Sequence, residues 1–187
     1  ESIETIRADL KEVSPTVFLG VPRIWEKMYA SMMLKMKDAS WLKRTLFEWA
    51  CKTGKAVEHK RRNAGASTWD SARYWIADFL VFRPLQEKFG LRRCVLPISG
   101  AAPIAPDLLA SFHGIGIRIL EGFGMTECSG VSHLNPRGAA KIGTVGRALT
   151  GCECRTAPDG EVLIRGAHVF KGYLHNEAAT ADAIDAD

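Results

Sequence analysis

The pattern of apolar and polar positions changes character twice along the chain. Val17-Phe18-Leu19 is a short apolar run that ends at Gly20 and Pro22. It predicts a buried strand followed by a helix start, because proline lacks the N–H that a first helical position leaves unpaired. From Pro22 to about Lys37, Ile24, Met28, Met32 and Met36 recur at helical spacing and mark one face. A second helix is predicted over 40–63, with Ser40 as cap and Leu42, Leu46, Trp49, Ala50 and Val57 near the same spacing. Asn63-Ala64-Gly65-Ala66-Ser67 breaks it. A third helix is predicted from about Trp69 to Phe89, bent at Pro84 and stopped at Gly90.

After residue 92 the pattern becomes β/α. Cys94–Ile98 predicts a strand that leads into Ser99-Gly100-Ala101-Ala102-Pro103. Pro106 opens a helix over about 106–113. Gly116–Leu120 predicts the next strand, entering Glu121-Gly122-Phe123-Gly124. Strand, helix and strand in so short a span predict a parallel unit. From about 141 the reading is β-rich, with strands expected at Gly143–Arg147, Glu153–Ala157 and Glu161–Arg165. Pro158-Asp159-Gly160 marks a hairpin turn, and Asn176 can cap a short helix that starts at Glu177. The fold class is therefore α/β. Residues 1–91 are expected to be mainly helical, 92–140 a β/α ligand-site part and 141–187 a β-rich part.

Charge and cysteine usage narrow the classes. The net charge of +4 is too small to argue for a nucleic-acid partner. The excess is local, since residues 35–62 hold nine Lys/Arg against three acids. A basic helix there faces either solvent or an anionic membrane surface, and the solvated face is the expectation. Five cysteines with no C-x-x-C argue against a disulfide framework or a zinc site and for a reducing, cytoplasmic setting. No apolar run is long enough to span a bilayer. The five histidines share no ligand spacing, and the five tryptophans all fall in the helical part, where core packing is expected. Gly114-Ile115-Gly116 is no dinucleotide fingerprint, because Ile119 stands at the third glycine position.

Two segments can carry chemistry. In Glu121-Gly122-Phe123-Gly124-Met125-Thr126-Glu127, glycines flank an aromatic, so the backbone can turn sharply and approach a ligand. Thr126 can donate to a phosphate oxygen. Glu127 is a hard oxygen ligand suited to Mg²⁺ on that phosphate. Phe123 offers a stacking face worth roughly 1–3 kcal/mol to a nucleobase. The alternative is a plain turn with a buried ring and a solvated acid. Ser99-Gly100-Ala101-Ala102-Pro103 has small side chains against which a flat ligand could lie. The alternative there is an ordinary strand-to-helix loop. Ligands of parallel sheets sit beyond the carboxyl ends of the strands, where both segments are expected.

Together these segments resemble a known family. Gly122-Phe123-Gly124-Met125-Thr126-Glu127 resembles the Y-G-x-T-E signature of the adenylate-forming superfamily, with Phe for Tyr. Gly100-Ala101-Ala102-Pro103 is similar to its adenine loop. Gly143-Thr144-Val145-Gly146, the run Gly160–Gly166, and Val169-Phe170-Lys171-Gly172-Tyr173 followed by Glu177–Thr180 resemble later segments, in the same order and spacing. Gly20–Lys27 and the helical stretch after it look like the long-chain fatty acid CoA ligases (acyl-CoA synthetases) of that superfamily.

The resemblance implies a large part of such a ligase's N-terminal domain. It implies ATP-dependent activation of a fatty acid to acyl-AMP, then thioester formation with coenzyme A. Loading of a carrier protein, or a non-catalytic nucleotide- or lipid-binding module, are the alternatives. By the resemblance Thr126 contacts phosphates and Glu127 binds Mg²⁺. Phe123 stacks on adenine opposite Gly100, Ala101, Ala102 and Pro103, and Glu121, Gly122, Gly124 and Met125 complete the nucleotide contacts. The superfamily's phosphate loop, its ribose-holding T-G-D segment and its C-terminal domain with the catalytic lysine have no counterpart here. The expectation is an internal fragment with no adenylation activity of its own.

Overall fold

Pro22 begins a helix in the structure, as its position predicts. The computed structural model describes residues 5–63 and 65–185. Ala64, one of the helix-breaking residues, the side chain of Arg62 in the basic stretch, and the terminal residues 1–4 and 186–187 lie outside the described residues. The chain forms two units, one of residues up to Glu121 with 142–144, the other of 122–141 with the residues from Val145 onward.

The first unit starts with α1 (Ile6–Val13), β1 (Val17–Gly20), α2 (Pro22–Lys37) and α3 (Trp41–Asn63). α2 buries Ile24, Trp25, Met28 and Met32, the face its spacing predicts, and Met36 packs against the same core. In α3, Phe47, Ala50, Thr53, Val57 and Glu58 point inward, while Lys43, Arg44, Lys52, Lys55, Lys60 and Arg61 are exposed. That is the exposed charged face of an amphipathic helix. Lys60 Nζ pairs with Asp70 Oδ1 at 2.9 Å, and the Arg61 guanidinium lies 4.7 Å from the centroid of the Tyr74 ring.

The third helical stretch is not one helix. α4 (Thr68–Ala77) is followed by a π-helical turn at Asp78–Phe82 and then α5 (Arg83–Lys88). Pro84 cannot donate to the carbonyl four residues earlier, and the chain takes a wider turn just before it. Arg83 Nε donates to Asp78 Oδ2 at 2.7 Å across that turn. Ser67 caps α4, accepting from Asp70 N at 3.1 Å, and Asp70 reaches back to Ser67 N at 3.3 Å. The side-chain bond from Lys60, and then that from Ser67, hold Asp70 below its ordinary carboxylate range. Gly90 ends the stretch at φ 70°, where a Cβ would run into the Leu10 backbone.

β2 (Leu96–Ser99), α6 (Pro106–Gly114) and the first half of β3 (Leu120–Phe123) form the expected parallel unit. β1 pairs with β2 from Val17–Leu96 to Gly20–Ser99, and β2 pairs with β3 at Ile98–Leu120 and Ser99–Glu121. The core under this sheet holds Trp25, Met28, Phe82, Leu109, Phe112, Ile115 and Ile119. Each such apolar side chain contributes about 1.5–3 kcal/mol by leaving water. The Trp25 ring meets Phe18 and Phe112 edge-on at 5.3 and 5.5 Å, and its Nε1 donates to Gly20 O at 3.3 Å.

Several expectations are corrected here. β1 is not a buried strand: Val17 and Leu19 are 54% and 59% exposed, and only the Phe18 and Gly20 face packs inward. β2 lies two residues later than Cys94. β3 begins at Leu120 rather than ending there, because Ile117 and Ile119, which are buried, and the exposed Arg118 between them follow the turn at Gly116 (φ 84°) before the chain reaches the ladder. Of the tryptophans, Trp25 is a core residue and Trp49 packs against the core, but Trp41, Trp69 and Trp75 are 72%, 72% and 61% exposed.

In the second unit, Gly122 and Phe123 pair antiparallel with Leu134 and His133 of β4 (His133–Leu134), and β4 pairs with β5 (Arg147–Ala148). Of the strand expected over Gly143–Arg147 only Arg147 joins a ladder, in β5, because Gly143 and Gly146 adopt φ of 79° and 83°. β6 (Glu153–Thr156) and β7 (Val162–Arg165) form the expected hairpin. Its turn is closed by Gly160 N to Ala157 O at 2.9 Å, with Glu161 N donating to Asp159 Oδ1 at 3.1 Å. α7 (Glu177–Ala183) follows, with Asn176 Oδ1 accepting from Ala179 N at 3.1 Å, the expected cap. Among the described residues no helix is long and apolar enough to cross a membrane.

Candidate functional site

The two segments singled out in the sequence leave from paired strand ends. Ser99 ends β2 and is the registered partner of Glu121 in β3. Residues 100–103 continue from the first and residues 122–127 from the second.

In the first unit, Gly100 is half-buried and Ala101, Ala102 and Pro103 are exposed, so this small-residue loop presents its backbone to solvent. Ala101 stands at φ 70°, a left-handed conformation that costs an L residue about 1–2 kcal/mol and clusters at ligand sites. Ser99 is 2% exposed, and its Oγ has no hydrogen-bond partner among the described residues. A buried hydroxyl without a partner costs free energy that a bound polar group can recover. Glu121 Oε2 accepts from Gly143 N at 3.0 Å. Burial pushes the Glu121 carboxyl above its usual range, and the Gly143 N–H draws it part of the way back.

In the second unit, residues 122–127 are not one open loop. Gly122 and Phe123 belong to β3, and Phe123 O accepts from Ser132 N at 2.9 Å. Gly124 lies against Gly130, where a Cβ would overlap the Gly130 carbonyl, so no other residue fits without moving that backbone. Met125 O accepts from both Cys128 N and Gly130 N at 3.1 Å, which closes a tight turn. Thr126 and Glu127 sit on the 3-10 turn inside it, with Thr126 exposed. The Phe123 ring is 36% exposed and meets His133 edge-on at 5.8 Å, leaving part of its surface accessible.

The sequence reading missed a partner of Glu127. Tyr173 donates its hydroxyl to Glu127 Oε1 at 2.6 Å. That bond holds Glu127 below its ordinary carboxylate range and raises Tyr173 above the ordinary phenol range. Tyr173 appeared in the sequence only as part of a matching run, and local spacing carries no signal for a contact of this sequence separation.

The sequence profile of the AMP-binding enzyme family matches residues 2–174. The chain belongs to the AMP-binding enzyme family. As a member, it is 42% identical over 98% of its length to a putative fatty-acid–CoA ligase, FadD11, of Mycobacterium tuberculosis, and covers 32% of that protein. It is 38% identical over 94% of its length to the long-chain-fatty-acid–CoA ligase ACSBG2 of Xenopus laevis, covering 24% of it. The chain thus spans about a quarter to a third of the curated relatives it matches. Solved structures of CoA ligases and synthetases share the fold of this chain. A malonyl-CoA ligase with methylmalonyl-CoA and AMP bound aligns over all of this chain and 32% of that one, with TM-score 0.57 and 21% identity. An o-succinylbenzoate CoA synthetase of Bacillus subtilis, in complex with its acyl-adenylate intermediate, aligns over all of this chain and 29% of that one, with TM-score 0.57 and 16% identity.

Proposed function

We propose that this chain is a segment of an ATP-dependent, AMP-forming acyl-CoA ligase that acts on fatty acids, and that residues 92–140 supply part of its nucleotide site. The observation that carries the reading is the register of Ser99 with Glu121. Both residues lie at the carboxyl ends of paired parallel strands of the first unit, the end at which such sheets take ligands, and this supports the reading. The partnerless Ser99 hydroxyl and the left-handed Ala101 support a ligand there. The fatty acid class follows the relatives at 35–42% identity.

In the proposed reaction a fatty acid carboxylate oxygen attacks the α-phosphorus of ATP. The bond from that phosphorus to the bridging oxygen breaks, and pyrophosphate leaves. The thiol sulfur of coenzyme A then attacks the acyl carbon, AMP departs with the bonding pair, and the thiol proton is released. For this chain we assign Gly100, Ala101, Ala102 and Pro103, with Glu121, Gly122, Gly124 and Met125, to contacts with the nucleotide. Phe123 would stack on the base, Thr126 would donate to a phosphate oxygen, and Glu127 would hold a magnesium ion.

Glu127 fits magnesium by its chemistry: it is a solvent-accessible hard oxygen donor kept ionised by Tyr173, which engages one of its two oxygens. One carboxylate shared with substrate phosphates is the common way proteins hold this ion. When bound, the ion neutralises phosphate charge. Thr126 and Glu127 serve by being positioned beforehand on the closed 125–130 turn.

The test is product analysis with the intact protein, ATP, magnesium, a long-chain fatty acid and free coenzyme A. The expected products are AMP, pyrophosphate and fatty acyl-CoA. Fatty-acid-dependent pyrophosphate without a coenzyme A thioester would replace coenzyme A by another acceptor. No fatty-acid-dependent pyrophosphate at all would overturn the reading.

A further inference from the structure

The bond from Tyr173 to Glu127 joins two parts of the chain 46 residues apart. Other bonds already fasten these parts. Phe170 N donates to Glu127 O at 2.7 Å, and Ser129 Oγ donates to His168 O at 2.7 Å. The strip from His168 to Tyr173 is therefore held along residues 127–129 without the tyrosine hydroxyl. The ring itself is fixed from behind. Phe170 meets it edge-on at 4.9 Å, and Tyr173 N donates to Thr180 Oγ1 at 2.9 Å. Thr180 Oγ1 in turn donates to Asn176 O at 2.9 Å at the start of α7. A rigid ring is thus aimed at one carboxylate oxygen.

We propose that Tyr173 is a positioning residue for Glu127, holding Oε1 so that the carboxylate keeps one orientation before the nucleotide arrives. The inference rests on the proposed role of Glu127 and deepens it. A solvent-accessible glutamate otherwise spreads over several rotamers, and fixing it must be done at the cost of side-chain entropy. A short O–H···O⁻ bond is among the stronger neutral-to-ion contacts and does this in the unliganded protein. Groups that orient metal-ligating side chains typically change metal affinity by about 10–100-fold when removed. An accessible pair such as this one belongs at the lower end of that range.

The experiment uses the intact protein with Tyr173→Phe, Glu127→Gln and the double variant. Tyr173→Phe keeps the ring on Phe170 and removes only the hydroxyl. Binding of Mn–ATP is read by water-proton relaxation, alongside the Mg²⁺ concentration giving half-maximal pyrophosphate exchange and the KM for the fatty acid. The expected result for Tyr173→Phe is weaker Mn–ATP binding and a higher Mg²⁺ requirement, each by about tenfold, with the fatty acid KM unchanged. Glu127→Gln should weaken binding further, and the double variant should match Glu127→Gln. An unchanged metal dependence in Tyr173→Phe, or the same loss on top of Glu127→Gln, would overturn the role of Tyr173 alone. Glu127→Gln without effect on Mn–ATP binding would instead sink the assignment of Glu127, and this inference with it. If Tyr173→Phe does not fold, Thr180→Ala loosens the tyrosine from its backbone side. It should shift the same two readouts in the same direction by less, and no shift would count against the proposal.

Discussion

Ser99 and Glu121 stand opposite one another as the last registered pair of β2 and β3. One carries a buried hydroxyl without a partner, the other a carboxyl that burial pushes upward. Folding therefore desolvates two polar groups at the same rim.

For Glu121 this fixes a sign. The folded protein holds its proton more tightly than the unfolded chain does, whose ordinary value is 4.5. The folded state thus binds more protons in that window. Stability falls as pH rises from about 4.5 through the raised folded value. Glu121→Gln has no charge to desolvate. Its melting temperature relative to the parent should climb across that window and level off above it. A difference that stays flat or falls from pH 4 to 7 would contradict the account.

At Gly54 two effects oppose each other. Alanine in a helix interior gains about 1 kcal/mol over glycine. A Cβ on Gly54 of α3, however, would overlap the Gly114 carbonyl of α6, and backbone cannot rotate aside as a side chain can. Overpacking of this kind typically costs about 1–3 kcal/mol. Gly54→Ala should lower the denaturant midpoint, for a net loss of up to about 2 kcal/mol once the propensity gain is subtracted. A stabilised variant would show that α3 and α6 are less closely apposed.

At Ala101 the balance runs the other way. Its φ of 70° costs an L residue about 1–2 kcal/mol, which glycine does not incur. Glycine loses roughly 0.4–1 kcal/mol through the freer unfolded chain. Ala101→Gly should raise stability by roughly 0.5–1 kcal/mol, read as an upward shift of the denaturant midpoint. A destabilised variant would mean that the loop needs the methyl group.

Helices, turns and the order of the parallel unit were legible where local chemistry decides them. Pro22, Pro106, Asn176 and the Pro158–Gly160 turn set backbone geometry through their own side chains or rings, and the structure follows them. Strand limits were not legible. Ile117, Arg118 and Ile119 alternate buried and exposed as a strand does, but the two isoleucines are buried by packing rather than paired in the ladder, so the pattern alone placed β3 four residues early. Gly143 and Gly146 cut a predicted strand back to Arg147 through their positive φ, which the residue pattern alone does not reveal. The chemistry-bearing segments were visible as motifs. The Ser99–Glu121 register, the Gly124–Gly130 contact and the Tyr173–Glu127 bond were not, because each depends on residues brought together by the fold.

The central claim is that Glu127 serves an adenylation reaction. Fatty-acid-dependent exchange of pyrophosphate into ATP, compared between the intact protein and its Glu127→Gln variant, tests it most directly. Losing one preorganised electrostatic group at a reacting centre should slow exchange by about 10²–10³-fold, while the melting temperature stays close to that of the parent. Exchange that proceeds equally well in both proteins would contradict the account.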